Sequence, residues 1–348
     1  MAARFLQSLR LPTLGICAAL LAVLPAQTLN VYFGNLHSHT AYSDGTGTPE
    51  QAYTHARVNG KLDFLLISEH NHAAAEGTGD DPERLHIARD PSLYQGQPAA
   101  LIDTANRINE AFPNSFVALY GQEFSTNSGG NHVNVFDLDQ VIDEQIVPNK
   151  NYRKLYESWL ATHLDSEGRP AIVQFNHPRS VNQDYGILNF QGDMDAVRSA
   201  AAPHVRTIEI INGPHDAQDS GNRITSIKSR AYLTYLNHGF RLAPSADQDN
   251  HFITHGTATD HRTAVLAGAL TKRDLLQAIR DRRVYASQDK NLQIFFSVNG
   301  SIMGSVLELA SGAPLRIEVR LRDADEPTAS YRVSLRRDTV GDDLEATS

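Results

Sequence analysis

The chain of 348 residues is predicted to form an α/β fold, on two observations. From Val31 to about Arg283, short apolar runs alternate with segments of helical periodicity, the pattern of βα units with buried, largely parallel strands. Histidines and carboxylates sit just after those runs, where the ends of successive parallel strands converge on one face. No internal repeat or low-complexity block interrupts this order. With 41% hydrophobic and 20% charged residues, the composition suits one large domain plus an appendage. A core of that size needs no disulfide staples.

The strands are expected at Val31–Leu36, Phe64–Ser68, Phe116–Tyr120, Val133–Phe136, Ala171–Phe175, Thr207–Ile211, Leu242–Ala243 and Ala264–Leu266. Between the first two, Thr48-Pro49-Glu50-Gln51 supplies a helix N-cap, a proline in the first turn and a capping-box glutamine, and Gly60 closes the segment. Tyr152, Leu155, Tyr156, Trp159 and Leu160 form an amphipathic stripe that reads as core packing. Thr271 caps a helix carrying Leu275, Leu276 and Ile279. The polar stretch Asn71–Pro98 reads as a long loop over the converging strand ends, either a lid or a disordered excursion. After Leu292 the pattern changes to alternation without helices, at Leu292–Val298, Leu315–Leu321 and Tyr331–Leu335. The division is therefore a signal peptide over 1–26, a main domain over 27–288 and a small β appendage over 289–348. That appendage ends in a polar tail and is either incomplete or dependent on contact with the main domain.

The N-terminal segment reads as a targeting signal. Arg4 and Arg10 form a basic start, and Thr13 to Leu24 is an apolar run too short to span a bilayer. Leu24-Pro25-Ala26 offers a cleavage site, although Leu24 is larger than the preferred small residue. The alternative is a buried helix or an uncleaved anchor. Cleavage predicts a secreted or periplasmic protein with no membrane anchor. Cys17, the one cysteine, lies inside this segment, so the mature chain would have no cysteine nucleophile and no thiolate metal ligand. The net charge of −9, without a basic stripe, argues against duplex nucleic acid as a partner. Nothing in the sequence sets an oligomeric state.

The chemistry is concentrated in Leu36-His37-Ser38-His39-Thr40-Ala41-Tyr42-Ser43-Asp44-Gly45. Two histidines one residue apart project to the same side of an extended backbone, so one metal ion can take an imidazole from each. A lone histidine beside a strand is usually a solvated or hydrogen-bonded loop residue. The set is what carries weight: similar punctuation recurs at Glu69-His70, Glu123, His132, His177 and Asp249-Asn250-His251. Nine nitrogen and oxygen donors (His37, His39, Asp44, His70, Glu123, His132, His177, Asp249 and His251) exceed what a single ion needs. Imidazole with carboxylate suits Zn, Mn or Fe rather than Ca or Mg. Two to three divalent transition metals sharing a bridging carboxylate satisfy this set. They would generate hydroxide near neutral pH and clamp an in-line displacement.

Over roughly Val31 to Leu266 the chain resembles the polymerase and histidinol phosphatase (PHP) superfamily of metallohydrolases. The likeness rests on the opening His-x-His-Thr-x-x-Ser-Asp-Gly, the second-strand His70, Gly121-x-Glu123, His177-Pro178 and the late Asp249-x-His251. It implies a distorted (β/α)7 barrel of PHP type with up to three metals. Carried over, it places His37, His39, Glu123 and Asp249 on one metal. Glu123 bridges to a second, also held by His132 and His177, and Asp44, His70 and His251 hold the third. Two departures stand out. Glu69 occupies a position where the family usually has Asp before the second-strand histidine, and it could still serve as a supporting carboxylate. The late motif, Asp247-Gln248-Asp249-Asn250-His251, departs from Ser-Asp-x-His, so Asp247 competes with Asp249. Asp249 is favoured: on extended backbone at about 3.3 Å per residue it lies ~7 Å from His251, against ~13 Å for Asp247.

Arg179 and Arg262 are candidate contacts to an anionic substrate, and Asn212 and His215, after the Thr207–Ile211 strand, are candidates to line the cleft. Each arginine is otherwise an ordinary salt-bridge residue. No serine elbow, phosphate-binding Gly-rich loop or dinucleotide fingerprint is present. The expected activity is that of an exported metal-dependent hydrolase, most simply a phosphoesterase acting on a small anionic or ester substrate. A metal-bridging hydroxide is the nucleophile, and Glu123, Asp249 and His251 carry catalysis. The alternatives are hydrolysis of a carboxylic ester, carbamate or amide on the same cluster, and a non-catalytic, metal-dependent glycan-binding module.

Overall fold

The computed structural model describes residues 28–75, 85–96, 99–125, 131–178, 185–214, 226–227 and 229–335. The N-terminal segment 1–26 and the polar tail after 335 therefore lie outside the described residues.

Among the described residues, the main sheet is built from ten strands. β1 (Asn30–Asn35), β2 (Phe64–His70) and β3 (Val117–Phe124) run parallel. β4 (Val133–Phe136) is antiparallel to β3 and to β5 (Ile172–Phe175). β6 (Val205–Asn212) runs parallel to β5, and it pairs antiparallel with the short β7 (Ser226–Ile227) and parallel with β8 (Ala243–Asp247). On the other side of β1, β9 (Arg262–Ala267) and then β10 (Val284–Ser287) add antiparallel. The sheet curls until β8 lies against β9 and β10. One hydroxyl helps stitch the seam: Thr263 Oγ1 accepts the Ala246 N–H at 2.9 Å and donates to Asp247 Oδ1 at 2.9 Å.

The result is a mixed α/β, nearly closed barrel-like sheet, the class expected from the alternation of apolar runs and helices. All eight expected strands are present. They read as near-continuous apolar runs because β2, β3, β4 and β5 are buried along their whole length. The sheet is less parallel than expected. The connection 125–132 is too short for the crossover that a parallel β3–β4 pair would require, so β4 turns back.

Helices cover the outside. Pro49–Val58 starts with the expected capping box between Thr48 and Gln51, and Lys272–Arg280 starts on Thr271, whose Oγ1 accepts the Asp274 N–H at 3.1 Å. The aromatic stripe of residues 152–162 includes a π-helical turn, Leu155–Trp159. Tyr152, Leu155, Tyr156, Trp159 and Leu160 are all buried in one apolar cluster with Phe124, Phe175 and Tyr185. Side chains of this size contribute roughly 1.5–3 kcal/mol each when taken out of water, which is why the stripe is core.

Of the stretch Asn71–Pro98, residues 76–84 and 97–98 lie outside the described set. The described parts are anchored at Ile87 and Tyr94, both buried. Ile87 donates its N–H to the Tyr42 carbonyl at 3.0 Å, and the buried Tyr94 hydroxyl donates to the Leu138 carbonyl at 2.8 Å.

Beyond β10, a separate three-stranded antiparallel sheet is formed by β11 (Gln293–Val298), β12 (Ser301–Ile302) and β13 (Ile317–Arg322). Ile294, Phe295, Ile302 and Met303 pack against Val31, Phe33, Leu266 and Tyr285 of the barrel. Tyr331–Leu335 forms no strand, and Tyr331, Val333 and Leu335 are exposed. No helix among the described residues is long and apolar enough to cross a membrane.

Candidate metal centre

The strand ends place nine nitrogen and oxygen donors in one nest. His37 and His39 follow β1, His70 ends β2, Glu123 lies near the end of β3, His132 precedes β4, and His177 follows β5. Asp249 and His251 arrive from the segment after β8, which lies alongside the first motif. Asp249 donates its N–H to the His37 carbonyl at 3.1 Å, and His39 donates its own to the Asn250 carbonyl at 2.9 Å. The two x-His motifs thus face each other as neighbouring strands do. Asp44 is brought back toward His39 by a tight turn in which Gly45 donates to the Thr40 carbonyl at 3.0 Å. A Cβ on Gly45 would come within 2.7 Å of the His39 backbone, so this turn needs glycine.

Glu123 is the hub. Its Oε2 lies 3.0 Å from His37 Nε2, 3.1 Å from His39 Nε2 and 3.3 Å from His70 Nε2. Its Oε1 lies 2.9 Å from His132 Nδ1 and 3.1 Å from His177 Nε2, and accepts from Asn176 Nδ2 at 3.0 Å. Asp249 Oδ1 joins the first set, 3.1 Å from His37 Nε2 and 3.3 Å from His39 Nε2. Asp44 collects the remainder: its Oδ1 is 3.2 Å from His251 Nε2, and its Oδ2 is 3.6 Å from His70 Nε2. Three sets of ligand atoms result, each within 4.8 Å: His37, His39, Glu123 and Asp249; His39, Asp44, His70 and His251; and His70, Glu123 and His132.

The donor chemistry fits cations. His37 Nδ1 lies 2.7 Å from Glu209 Oε1, which keeps a proton on that nitrogen and turns Nε2 to the nest. That Nε2 faces Glu123, Asp249 and, at 3.2 Å, His39 Nε2. Carboxylates and imidazoles crowded this closely are stable only around positive charge, which protons on the His37 and His39 rings supply when no cation is there. The same division of labour recurs: His70 Nδ1 donates to the Ser125 carbonyl at 3.0 Å and His251 Nδ1 to the Asp249 carbonyl at 2.9 Å. In both rings Nε2 is left for the nest. Histidines that bind metals are oriented in this way by a partner on the far nitrogen.

Burial and charge act against each other here. Burial by itself would push the Glu123 and Asp249 carboxyls up, but the surrounding imidazoles, His37 foremost, hold both well below the usual carboxylate range. Burial likewise opposes a proton on His37, and Asp249, Glu123 and Glu209 overcome it and raise that ring well above its ordinary value. His70 is pushed down to about 4, chiefly by burial. The nest thus holds its three carboxylates charged.

Two supporting carboxylates lie behind the nest. Glu69 accepts the Thr40 N–H at 3.0 Å and both the Thr40 and Ser43 hydroxyls, fixing the turn that carries Asp44. Glu209 holds His37 with one oxygen, and with the other accepts the His177 N–H at 2.5 Å and Asn212 Nδ2 at 3.1 Å. Burial raises both carboxyls to about 7, against the pull of their partners. Sequence reading missed Glu209. The available signal was a carboxylate inside the apolar run Ile208-Glu209-Ile210-Ile211, where an unpaired charge would be expensive.

Asp247 is buried and turned to the barrel seam. Its Oδ1 accepts the Leu36 N–H at 2.6 Å and the Thr263 hydroxyl at 2.9 Å, and its Oδ2 accepts Gln174 Nε2 at 3.0 Å. Asp249 has φ 50°, so the chain is not extended there and the spacing used to rank the two aspartates does not apply. Asp249 reaches the nest through its pairing with His37 instead.

Of the other candidates, Arg179 and His215 lie outside the described residues. Arg262 is 4% exposed and donates to the Thr259, His261 and Gly256 carbonyls at 2.7, 2.8 and 2.6 Å. Its guanidinium is committed to its own loop, and the structure does not turn it to the nest. Asn212 reaches the back of the nest through Glu209. Asp44, Asp249, His177 and His251 retain 15, 12, 14 and 16% side-chain exposure, whereas His37 and His39 retain none.

No protein-family model and no curated protein matches the chain. Similar solved structures exist. One is a two-domain protein from Bacteroides vulgatus containing a predicted PHP-like metal-dependent phosphoesterase, at 18% identity and TM-score 0.46. The likeness covers 74% of this chain and 65% of that one, so the chain spans just under two thirds of its length. Another is an amidohydrolase from Chromobacterium violaceum with bound sulfate and no metal, at 14% identity, covering 63% of this chain and 87% of that one, with TM-score 0.32.

Proposed function

We propose that the chain is an exported, metal-dependent hydrolase of PHP type that cleaves phosphoesters. The observation that carries this reading is Glu123, whose two oxygens face different sets of imidazoles, the arrangement of a carboxylate shared by neighbouring cations. His37, His39, Glu123 and Asp249 would hold one metal, Glu123, His132 and His177 a second, and Asp44, His70 and His251 a third. Divalent ions such as Zn, Mn or Fe, when bound, supply Lewis acidity that ionises water near neutral pH and offsets charge on a phosphoryl group. The protein's own part is orientation. Glu209 fixes the His37 ring, Glu69 fixes the Asp44 turn, and the closed walls restrict substrate to the face formed by Asp44, His177, Asp249 and His251. Export rests on the basic and apolar N-terminal segment.

A second reading is hydrolysis of a carboxylic ester, carbamate or amide, because hydroxide held by the same set of imidazoles and carboxylates would attack a carbonyl as it would phosphorus. One experiment separates the readings. Metal-stripped protein is reconstituted with Zn, Mn or Fe and assayed on phosphate monoesters, diesters and carboxylic esters. The expected result is two to three metal equivalents per chain and metal-dependent phosphoester turnover. Carboxylic ester turnover alone would select the second reading. Full metal content with no turnover would leave a binding module, and less than one equivalent would overturn the cluster.

A further inference from the structure

A cavity of about 330 Å³ lies between the end of helix Met194–Ala201, the start of β6, the turn before β8 and the turn after helix Lys272–Arg280. Here β6 and β8 begin, so the cavity is at the opposite end of the barrel from the metal nest, where strands finish. Its lining contains Arg198, Arg206, Arg241 and Arg282 and no carboxylate. In a chain of net charge −9, four guanidinium groups around one cavity require an explanation.

The four are held differently. Arg206 is anchored by three carbonyls, those of Ala202, Val205 and Pro203, at 2.9, 2.8 and 2.8 Å. Arg282 donates to the Gly304 carbonyl at 3.0 Å. Arg198 gives Nη2 to Asp195 at 2.9 Å, and its buried Nε has no acceptor among the described residues. Arg241 is exposed and makes no hydrogen bond or ion pair among the described residues. Gly239 makes room: it has φ +78°, and a Cβ there would come within 3.2 Å of Arg198 Nη1. Burial and mutual repulsion oppose the charges. Arg206 is pushed down to about 10, first by burial and then by Arg282 and Arg280, and Arg282 is lowered by burial and Arg241. Two carboxylates on the flanking elements are engaged, Asp195 with the lining Arg198 itself and Asp281 with Arg283.

We infer that this cavity binds a small, multiply charged phosphate-bearing anion. Guanidinium forks match phosphate oxygens two at a time, and the volume is that of a small-ligand pocket. A short, partly open pocket on an acidic chain does not suit a nucleic-acid backbone, which needs a continuous basic track. The site is remote from the proposed reaction and does not depend on it.

The test is calorimetric titration of the full chain, stripped of metal by a chelator that is then removed, with pyrophosphate, inorganic phosphate and sulfate. Arg198→Gln and Arg241→Gln are the probes, singly and combined, because neither side chain supports a backbone carbonyl. Thermal unfolding without ligand checks that each variant folds. The expected result is saturable 1:1 binding, tightest for pyrophosphate, weakened about tenfold or more in the double variant and unchanged in His177→Ala. Equal affinity in the double variant, loss in His177→Ala instead, or no saturable binding in the millimolar range would overturn the inference.

Discussion

Glu209 Oε1 lies 2.7 Å from His37 Nδ1, and Glu209 Oε2 accepts the His177 N–H at 2.5 Å. One buried carboxylate therefore orients donors from two strand ends. Changing Glu209→Gln keeps the volume and removes the charge. By the behaviour of carboxylates behind metal-bound histidines, metal affinity should fall about 10–100-fold. Competition with a chromogenic chelator measures this. Unchanged affinity would show that Glu209 does not orient His37.

Glu123→Gln should cost more. Both Glu123 oxygens face imidazoles, and an amide can offer only one acceptor to two sets of ligands. The ~10–100-fold benchmark for carboxylates that act behind the ligands is a lower bound here. Elemental analysis should show the loss of at least one metal equivalent, and hydrolysis should fall in parallel. A variant with full metal content and full rate would refute the bridging assignment.

The strand frame was legible because most strands are buried on both faces, so apolar runs such as Phe64-Leu65-Leu66-Ile67 announce themselves. β10 was not legible. Val284–Ser287 is four residues long and follows charged Arg282 and Arg283, and only its pairing with β9 makes it a strand. Within the nest, histidines and carboxylates next to apolar runs could be seen, because side chains at strand ends share one face. Glu209 leaves a weaker trace, a carboxylate within an apolar run, because nothing local says that a mid-strand glutamate finds its partner 172 residues away. The 247–251 segment was misjudged as extended for the same reason. Asp249 has φ 50° and donates its N–H to His37, a contact the local sequence does not encode.

His204 should make stability depend on pH independently of the metals. It is 4% exposed, with Nδ1 3.3 Å from the Ala171 carbonyl. Burial, reinforced by Arg206 and Arg280, lowers it to about 4. The unfolded chain takes up this proton near pH 6.5 and the folded one only near 4. The contribution is therefore complete above pH 6.5 and is lost as pH falls toward 4. At pH 5 the loss is at most about 2 kcal/mol. His204→Asn preserves a donor to Ala171 and removes the titration. Denaturant midpoints of metal-free protein at pH 7.5 and pH 5 should differ less in the variant than in the parent. Identical pH dependence in both would exclude His204 as a source.

Asp247 and Asp249 should separate by what they damage. Asp249 Oδ1 faces His37 and His39 in the nest, so Asp249→Asn should abolish hydrolysis and lower metal occupancy while leaving the unfolding midpoint of the metal-free protein nearly unchanged. Asp247 holds the barrel seam through Leu36, Thr263 and Gln174. In Asp247→Asn one oxygen can still serve Leu36 and Thr263, but an amide nitrogen then meets the Gln174 amide. An unsatisfied buried donor costs about 1–3 kcal/mol, so this variant should lose stability and retain activity to within about tenfold, the energy of a single modest contact. Denaturation curves and metal content measured on the same two preparations decide the matter. If Asp247→Asn loses metal while Asp249→Asn keeps it, the ligand from the segment after β8 is Asp247, and the pairing of Asp249 with His37 serves only the backbone.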